Sequence, residues 1–122
     1  MNTNELNKYC EFVKEFRNHL SVLILDSNFE VIYSTPSSDG YFSKFTDRFM
    51  IGCNLLKLFE DMPLFDIKKH IFEDILNNKK VNGFFLTKIL DQSSNDHLIS
   101  RVSLLPIIDN ENIIGIDVEF VA

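Results

Sequence analysis

The side chains best suited to chemistry are three histidines, His19, His70 and His97, which lie far apart in the sequence. Zinc sites place His, Cys and Asp ligands at short characteristic spacings, and none occurs around these histidines. The carboxylate pairs at residues 60–61 and 73–74 have the pattern of solvated helix surface or helix caps. The four glycines are isolated, so there is no glycine-rich phosphate loop. These patterns predict a protein that is not an enzyme and holds no metal.

A small enzyme would need a general acid or base in a pocket, and the faint candidates are Lys68, Lys88 and His97. Lys68 lies on the apolar stripe of a predicted helix, where its ammonium either reaches an edge or pairs with an anionic ligand. No nucleophile motif such as G-x-S-x-G frames the serines. The enzymatic alternative falls if all three side chains are solvated.

The two cysteines, Cys10 and Cys53, occur in unrelated contexts and indicate reduced thiols rather than a disulfide. The segment 1–15 is polar and of mixed charge, so it is not a signal peptide. We therefore expect a cytoplasmic protein.

Charge and composition argue against two classes of partner. The net charge is −6 and the basic residues are scattered, so we expect no direct contact with nucleic acid. No apolar run approaches the ~20 residues of a membrane span, so we expect no membrane partner. With 45% hydrophobic residues and 12 phenylalanines among 122 residues, the chain is predicted to form one domain with an aromatic-rich core.

An amphipathic helix is predicted over residues 1–19. Its apolar side chains recur at alternating steps of three and four residues, with charged residues between them. The repeat contains Leu6, Tyr9, Val13 and Phe16. Two heptads of this kind are typical either of a short dimer interface or of a helix that packs on its own domain. Both alternatives stay open.

A β-hairpin is predicted next, from residues 21–25 and 30–33 around a polar turn. The first run is apolar on both faces, which indicates a strand at the centre of a sheet. Residues 34–40 are rich in Ser, Pro and Gly and predict a loop.

The middle of the chain is predicted to be helical but interrupted. One short amphipathic helix contains Phe42, Phe45, Phe49 and Met50. Residues 54–59 form a further turn after Gly52. Pro63 is at the favoured first position of a longer helix, whose apolar stripe includes Ile71 and Ile75.

Three long strands are predicted at residues 81–90, 97–108 and 112–121, because the hydrophobic period returns to two. The last alternates so regularly that only one of its faces is expected to be buried. Residues 20–122 therefore predict an α+β domain. It has one five-stranded antiparallel sheet with short helices on one face, preceded by the amphipathic helix of residues 1–19.

Three segments of this domain resemble parts of PAS domains. Residues 23–33 are similar to the opening hairpin of that family, and residues 51–59 to the segment that leads into its long helix. Residues 104–116 are the best match, since they are similar to the closing hairpin with its proline, Asp-rich turn and Ile-Gly pair. Asn112 stands in place of the turn glycine, and asparagine tolerates the left-handed conformation. The resemblance implies a PAS fold over residues 20–121.

The resemblance also implies an apolar ligand cavity between the concave sheet face and the helices. Strand parity and the helix stripes give the candidate lining as Phe45, Phe49, Leu56, Phe59, Ile71, Ile75, Phe84, Leu86, Leu98, Val102, Leu104 and Ile116.

Two cofactors of PAS-like domains can be weighed against these residues. Haem-binding members have an axial histidine on the long helix, but His70 falls among the polar side chains of that helix. Flavin photoreceptors have a reactive cysteine in a Gly-x-Asn-Cys motif. Here Gly52 and Asn54 match, whereas Leu55 occupies the position of the cysteine. The residues support neither haem nor a flavin–thiol adduct, and we expect no bound cofactor, with non-covalent flavin left as an alternative.

The resemblance therefore predicts the sensory or regulatory module of a signal-transduction protein, either a transcription regulator or a histidine kinase. We expect a homodimer that binds a small apolar ligand, with the output domain outside this chain. The alternative is a ligand-free interaction module with a filled core. The discriminating feature is whether the phenylalanines close on one another or surround a void.

Overall fold

The computed structural model describes residues 3–43, 47–61, 73–75, 77, 82–91 and 96–121. Its helices and strands in chain order are α1 (Thr3–Phe16), β1 (Ser21–Asp26), β2 (Val31–Ser34), α2 (Pro36–Ser43), α3 (Leu55–Asp61), β3 (Asn82–Asp91), β4 (Asp96–Asp109) and β5 (Asn112–Val121). None of the helices within these ranges is long and apolar enough to cross a membrane.

The strands form one antiparallel sheet in the order β2-β1-β5-β4-β3. After α1 the chain forms the β1–β2 hairpin at one side of the sheet, and it returns to the centre of the sheet with β5. The bounds of β3, β4 and β5 agree with the predicted strands to within one residue.

Strand β1 lies between β2 and β5 and is buried on both faces, as predicted. Leu23 and Leu25 belong to an inner cluster on the side of α3, and Val22 and Ile24 belong to an outer cluster on the side of α1. The sheet therefore separates two apolar layers, which we call the inner and outer clusters.

The prediction that only one face of β5 is buried is wrong. Ile116, Val118 and Phe120 face the inner cluster as expected, but Gly115 and Asp117 on the other face are buried as well. The reason is that α1 covers the outer face, a long-range contact that the alternation within β5 does not encode.

The prediction of a loop at residues 34–40 is also wrong, because helix α2 begins at Pro36. The buried Thr35 caps this helix, since its Oγ1 accepts from the Ser38 amide at 3.4 Å and its carbonyl accepts from the Asp39 amide at 2.9 Å. Proline at the first helical position lacks only an amide that would have no partner. A cap followed by proline outweighs the low helix propensity of Ser and Gly.

The helix predicted to include Phe49 and Met50 ends earlier, at Ser43 in α2, and residues 48–50 are not helical. The chain then runs beside β2: the Gly52 amide donates to Val31 at 2.7 Å, and the Val31 amide donates to Cys53 at 2.9 Å. This pairing competes with helix formation and occupies the backbone groups at the edge of the sheet.

The turn between β4 and β5 differs in detail from the prediction. Asn112 is the first residue of β5 and pairs with Asp109, while Asn110 and Glu111 have the positive φ angles, 49° and 69°. Two consecutive left-handed residues are typical of a tight hairpin turn whose twist matches the strands.

The long helix predicted from Pro63 falls mostly outside the described ranges. Within them, residues 73–75 and 77 are helical, with Ile75 buried and Glu73 and Asn77 exposed. This agrees with the predicted stripe at those positions.

Candidate functional site

Five of the predicted lining residues lie together in the inner cluster: Leu56, Ile75, Val102, Leu104 and Ile116. All five are buried, and Phe49 is half-buried and packs against them. Helix α3 supplies one, the helical segment at residue 75 another, and β4 and β5 the rest. These six side chains lie together, in agreement with the strand parity and helix stripes, and their role in lining a ligand cavity stays a prediction.

The remaining predicted lining residues lie where side chains are not described. Phe45 and Ile71 are outside the described ranges. Phe59 is in α3, while Phe84 and Leu86 are in β3 and Leu98 is in β4. The backbone register places Phe84 opposite Val102 and Leu86 opposite Ser100.

Phe42 is a further member of the inner cluster, and the predicted lining does not include it. Its ring is fully buried, stacks on Phe49 with centroids 4.4 Å apart, and meets Phe120 edge-on at 5.3 Å. The amphipathic pattern of phenylalanines in the sequence includes Phe42. Its burial, however, depends on the start of α2 at Pro36, which the sequence does not predict. In this part of the inner cluster the rings close on one another.

Two residues in the segment compared with the Gly-x-Asn-Cys motif, Asn54 and Leu55, have clear structural roles. Leu55 is fully buried in the inner cluster, and Asn54 caps α3 by accepting from the Lys57 amide at 3.0 Å. The Asn54 side chain also donates to the Asn28 carbonyl at 3.0 Å, which ties α3 to the β1–β2 turn. At the position of a reactive cysteine this site has an aliphatic side chain, so no thiol adduct forms there.

The predicted dimer residues divide into two groups. Leu6 and Val13 are buried in the outer cluster, which also contains Val22, Ile24 and Ile107. They therefore face their own sheet and cannot contact a partner while α1 is packed there. For these two residues the structure matches the second alternative of the sequence prediction, a helix that packs on its own domain.

Phe16, by contrast, is 59% exposed, and Phe12, which the heptad pattern did not include, is 50% exposed. Tyr9 is half-buried at the boundary between the two sides of α1. The surface of α1 that can meet another molecule is therefore rotated from the predicted seam.

A buried carboxylate anchors α1 to the sheet. Asp117 of β5 is only 2% exposed and accepts hydrogen bonds from the Tyr9 hydroxyl and from the Arg17 guanidinium, the latter at 2.5 and 3.2 Å. Arg17 also lies 3.6 Å from Glu119. We call Tyr9, Arg17 and Asp117 the anchor network.

Burial raises the pKa of Tyr9, and its hydrogen bond to Asp117 raises it further. The pKa of Arg17 is raised mainly by its hydrogen bond to the same carboxylate. Burial, assisted by Glu11, raises the pKa of the neighbouring Cys10 thiol to about 11. The phenol and the thiol are therefore both protonated at neutral pH, and the Tyr9 hydroxyl is a hydrogen-bond donor to Asp117.

No group of His, Cys, Asp and Glu within the described ranges is arranged to hold a metal ion. Cys10 and Cys53 are both free thiols, and Cys53 packs against the inner cluster.

Comparison with known proteins adds information on the fold. Neither the family models nor the curated proteins contain a match to this chain. Several solved structures do match. The PAS domain of nitrogen regulation protein NR(II) from Vibrio parahaemolyticus is 20% identical with a TM-score of 0.59, over 83% of this chain and 86% of that one.

Two light-responsive proteins are similar in structure. A light-oxygen-voltage domain studied with a flavin analogue is 14% identical with a TM-score of 0.64, over 91% of this chain and 83% of that one. The LOV domain of the blue-light photoreceptor Aureochrome1 is 11% identical with a TM-score of 0.61, over 89% and 86% of the two chains. The sheet order, the inner cluster and these likenesses together show that the chain has the PAS fold.

Proposed function

We propose that this chain is the sensory or regulatory module of a cytoplasmic signal-transduction protein, which binds a small apolar ligand at the inner cluster and self-associates through its outer side. The observation that supports this most strongly is an apolar layer between the sheet and the helices, in a fold shared with a PAS domain of a nitrogen regulation protein and with blue-light receptors. The module transmits a signal and performs no catalysis.

The chemistry of the inner cluster supports an apolar class of ligand. Its described side chains are aliphatic, aromatic or thiol, so a ligand there gains from loss of apolar surface to water rather than from ion pairing. A molecule with a large apolar part, such as a fatty acid, a quinone or a non-covalently bound flavin, would gain free energy in this way. The host protein is a transcription regulator or a histidine kinase.

A second candidate is a ligand-free interaction module with a filled core. It is favoured by one specific observation, the contact of Phe42 with both Phe49 and Phe120, which closes that part of the inner cluster. In this version the inner cluster serves stability alone, and self-association is the whole function.

The two candidates are separated by an absorption spectrum of freshly purified protein and mass spectrometry of its denatured extract. A ligand-binding module yields a stoichiometric small molecule, or a visible band if the molecule is coloured. An extract without any small molecule supports the filled-core module instead.

A matched pair of variants locates the ligand. Leu104 is buried in the inner cluster, while its neighbour Leu105 is 42% exposed. Leu104→Phe adds volume to the ligand site and is expected to lower the amount of extracted molecule, whereas Leu105→Phe leaves it unchanged. Equal amounts from both variants would place the molecule elsewhere on the protein.

A further inference from the structure

The outward side of α1 has a shallow groove between two rows of side chains. Each row follows the i, i+4 spacing that forms a ridge on a helix surface. One ridge contains Asn4, Lys8, Phe12 and Phe16. The other contains Asn7, Glu11 and Glu15. Helices pack on one another by placing such a ridge in the groove of the facing helix.

The first ridge has the apolar surface that a partner would cover. Phe12 and Phe16 are 50% and 59% exposed, and their ring centroids are 5.2 Å apart, so the two rings form one continuous patch. The outer cluster and the anchor network hold the opposite side of α1 on the sheet. The groove is therefore presented outward in a fixed orientation.

Two of the three charged side chains that line the groove, Lys8 and Glu15, distinguish the two orientations in which a second α1 can lie on it, whereas Glu11 comes near its own copy in both. In parallel packing each Lys8 faces Lys8, and each Glu15 faces Glu15, so like charges meet. In antiparallel packing about a twofold axis near Phe12, Lys8 faces Glu15 of the partner subunit, and the symmetry forms this pair twice. The helix dipoles also oppose in the antiparallel arrangement.

We propose that a second copy of this chain docks on α1 in antiparallel orientation, with the Phe12–Phe16 ridge in the partner's groove and Lys8 opposite Glu15 of the partner subunit. This proposal rests on the self-association in the proposed function. It adds the surface through which the two copies meet and the relative orientation of their α1 helices. Lys8 contacts Glu5 at 3.0 Å, but that pair is exposed, so exchanging it for an intermolecular pair costs little.

Charge reversal tests the orientation, with the dissociation constant of the dimer measured by sedimentation equilibrium at low salt. Lys8→Glu and Glu15→Lys each place two like-charged contacts in the antiparallel dimer, and each is expected to weaken association about tenfold. The double variant K8E/E15K restores opposite charges and is expected to associate within about twofold of the original chain. In a parallel dimer neither single reversal has this effect.

Lys14→Glu is the matched control, because Lys14 is exposed on the same helix but is not part of the groove. It makes the same charge change and is expected to leave the dissociation constant unchanged. Circular dichroism of every variant shows whether α1 stays helical, and the recovery in the double variant separates a lost contact from a damaged helix.

The outcomes distinguish this inference from the function on which it rests. A chain that dimerises but responds equally to Lys8→Glu and Lys14→Glu overturns antiparallel docking and leaves self-association standing. A chain that is monomeric at its highest soluble concentration overturns both. The ligand at the inner cluster is tested separately by the extract.

Discussion

At the scale of single residues, Asp117 has the most demanding environment in the outer layer. Its carboxylate is withdrawn from water, and both oxygens accept hydrogen bonds from side chains of the N-terminal segment. A buried carboxylate is tolerated only when such partners replace its hydration. Because Tyr9 lies within α1 and Arg17 directly after it, one carboxylate fixes the helix at two points.

Removing this charge should loosen α1. We expect Asp117→Asn to lower the free energy of unfolding by about 1–3 kcal/mol, because the amide offers one acceptor oxygen to two donors and leaves Arg17 only its longer contact with Glu119. Urea unfolding measures the change. Glu119→Gln is the control, since Glu119 is one-third exposed and 3.6 Å from Arg17, and it should cost less than about 0.5 kcal/mol. Equal losses in the two variants would contradict the anchoring by Asp117.

The raised pKa of Tyr9 predicts a loss of stability at alkaline pH. Below its ordinary pKa of 10.0 the phenol is protonated in both the folded and the unfolded chain, so the stabilisation is fully present. Above pH 10 the unfolded chain loses the proton first, and the free energy of unfolding falls as the pH rises.

Tyr9→Phe should make this fall less steep. The difference in slope should be well below the ~1.4 kcal/mol per pH unit of a full proton, because Tyr9 is only half-buried. Urea unfolding between about pH 9 and pH 11 of both chains measures it. Tyr33, whose pKa is also raised, contributes equally to both chains and cancels in the comparison. Identical slopes would show that the Tyr9 phenol is not held in the folded chain.

At the scale of elements, the approach of α1 to the sheet depends on Gly115 in β5. A Cβ atom at this position would lie 2.4 Å from the Leu25 carbonyl oxygen and 2.9 Å from the Leu6 side chain. The backbone of β1 cannot give way without disturbing the ladder, so the close approach of β1 and α1 to this position requires glycine.

Two glycine substitutions should therefore have opposite signs. Gly115→Ala is expected to destabilise the chain by about 2–3 kcal/mol through overpacking. Gly40→Ala, in the middle of α2 with nothing within 4 Å of the added Cβ, is expected to stabilise it by about 0.5–1 kcal/mol. Thermal unfolding followed by circular dichroism gives both values. A neutral Gly115→Ala would show that both the β1 backbone and α1 lie farther from this position.

The elements that the sequence predicted well are those whose pattern is local. The strands from Asn82 to Val121 were predicted to within one residue because their alternation is long and a polar turn separates β4 from β5. Helix α2 was missed because a cap and a proline compensate for its Ser and Gly content. The sequence does not predict the burial of Asp117, because the helix that covers it is distant in the sequence. Tyr9 of α1 and Asp117 are 108 residues apart.

At the scale of the whole molecule, one sheet separates two apolar layers with different partners. The inner layer faces α3 and the proposed ligand, and the outer layer faces α1 and, through it, the proposed second copy. Strand parity predicts that Val102 and Leu104 face the inner layer, because they alternate with less buried residues along β4. The outward groove of α1 was not predicted, because only the packing of Leu6 and Val13 on the sheet shows which side of the helix stays exposed.

Native mass spectrometry of the freshly purified chain tests the proposed sensory function, because it reports bound molecules and subunit number together. We expect a dimer whose mass exceeds that of two bare chains by one small molecule per subunit. A dimer without added mass would select the filled-core interaction module. A single species at the mass of one bare chain would contradict both the ligand and the self-association, and with them the proposed sensory function.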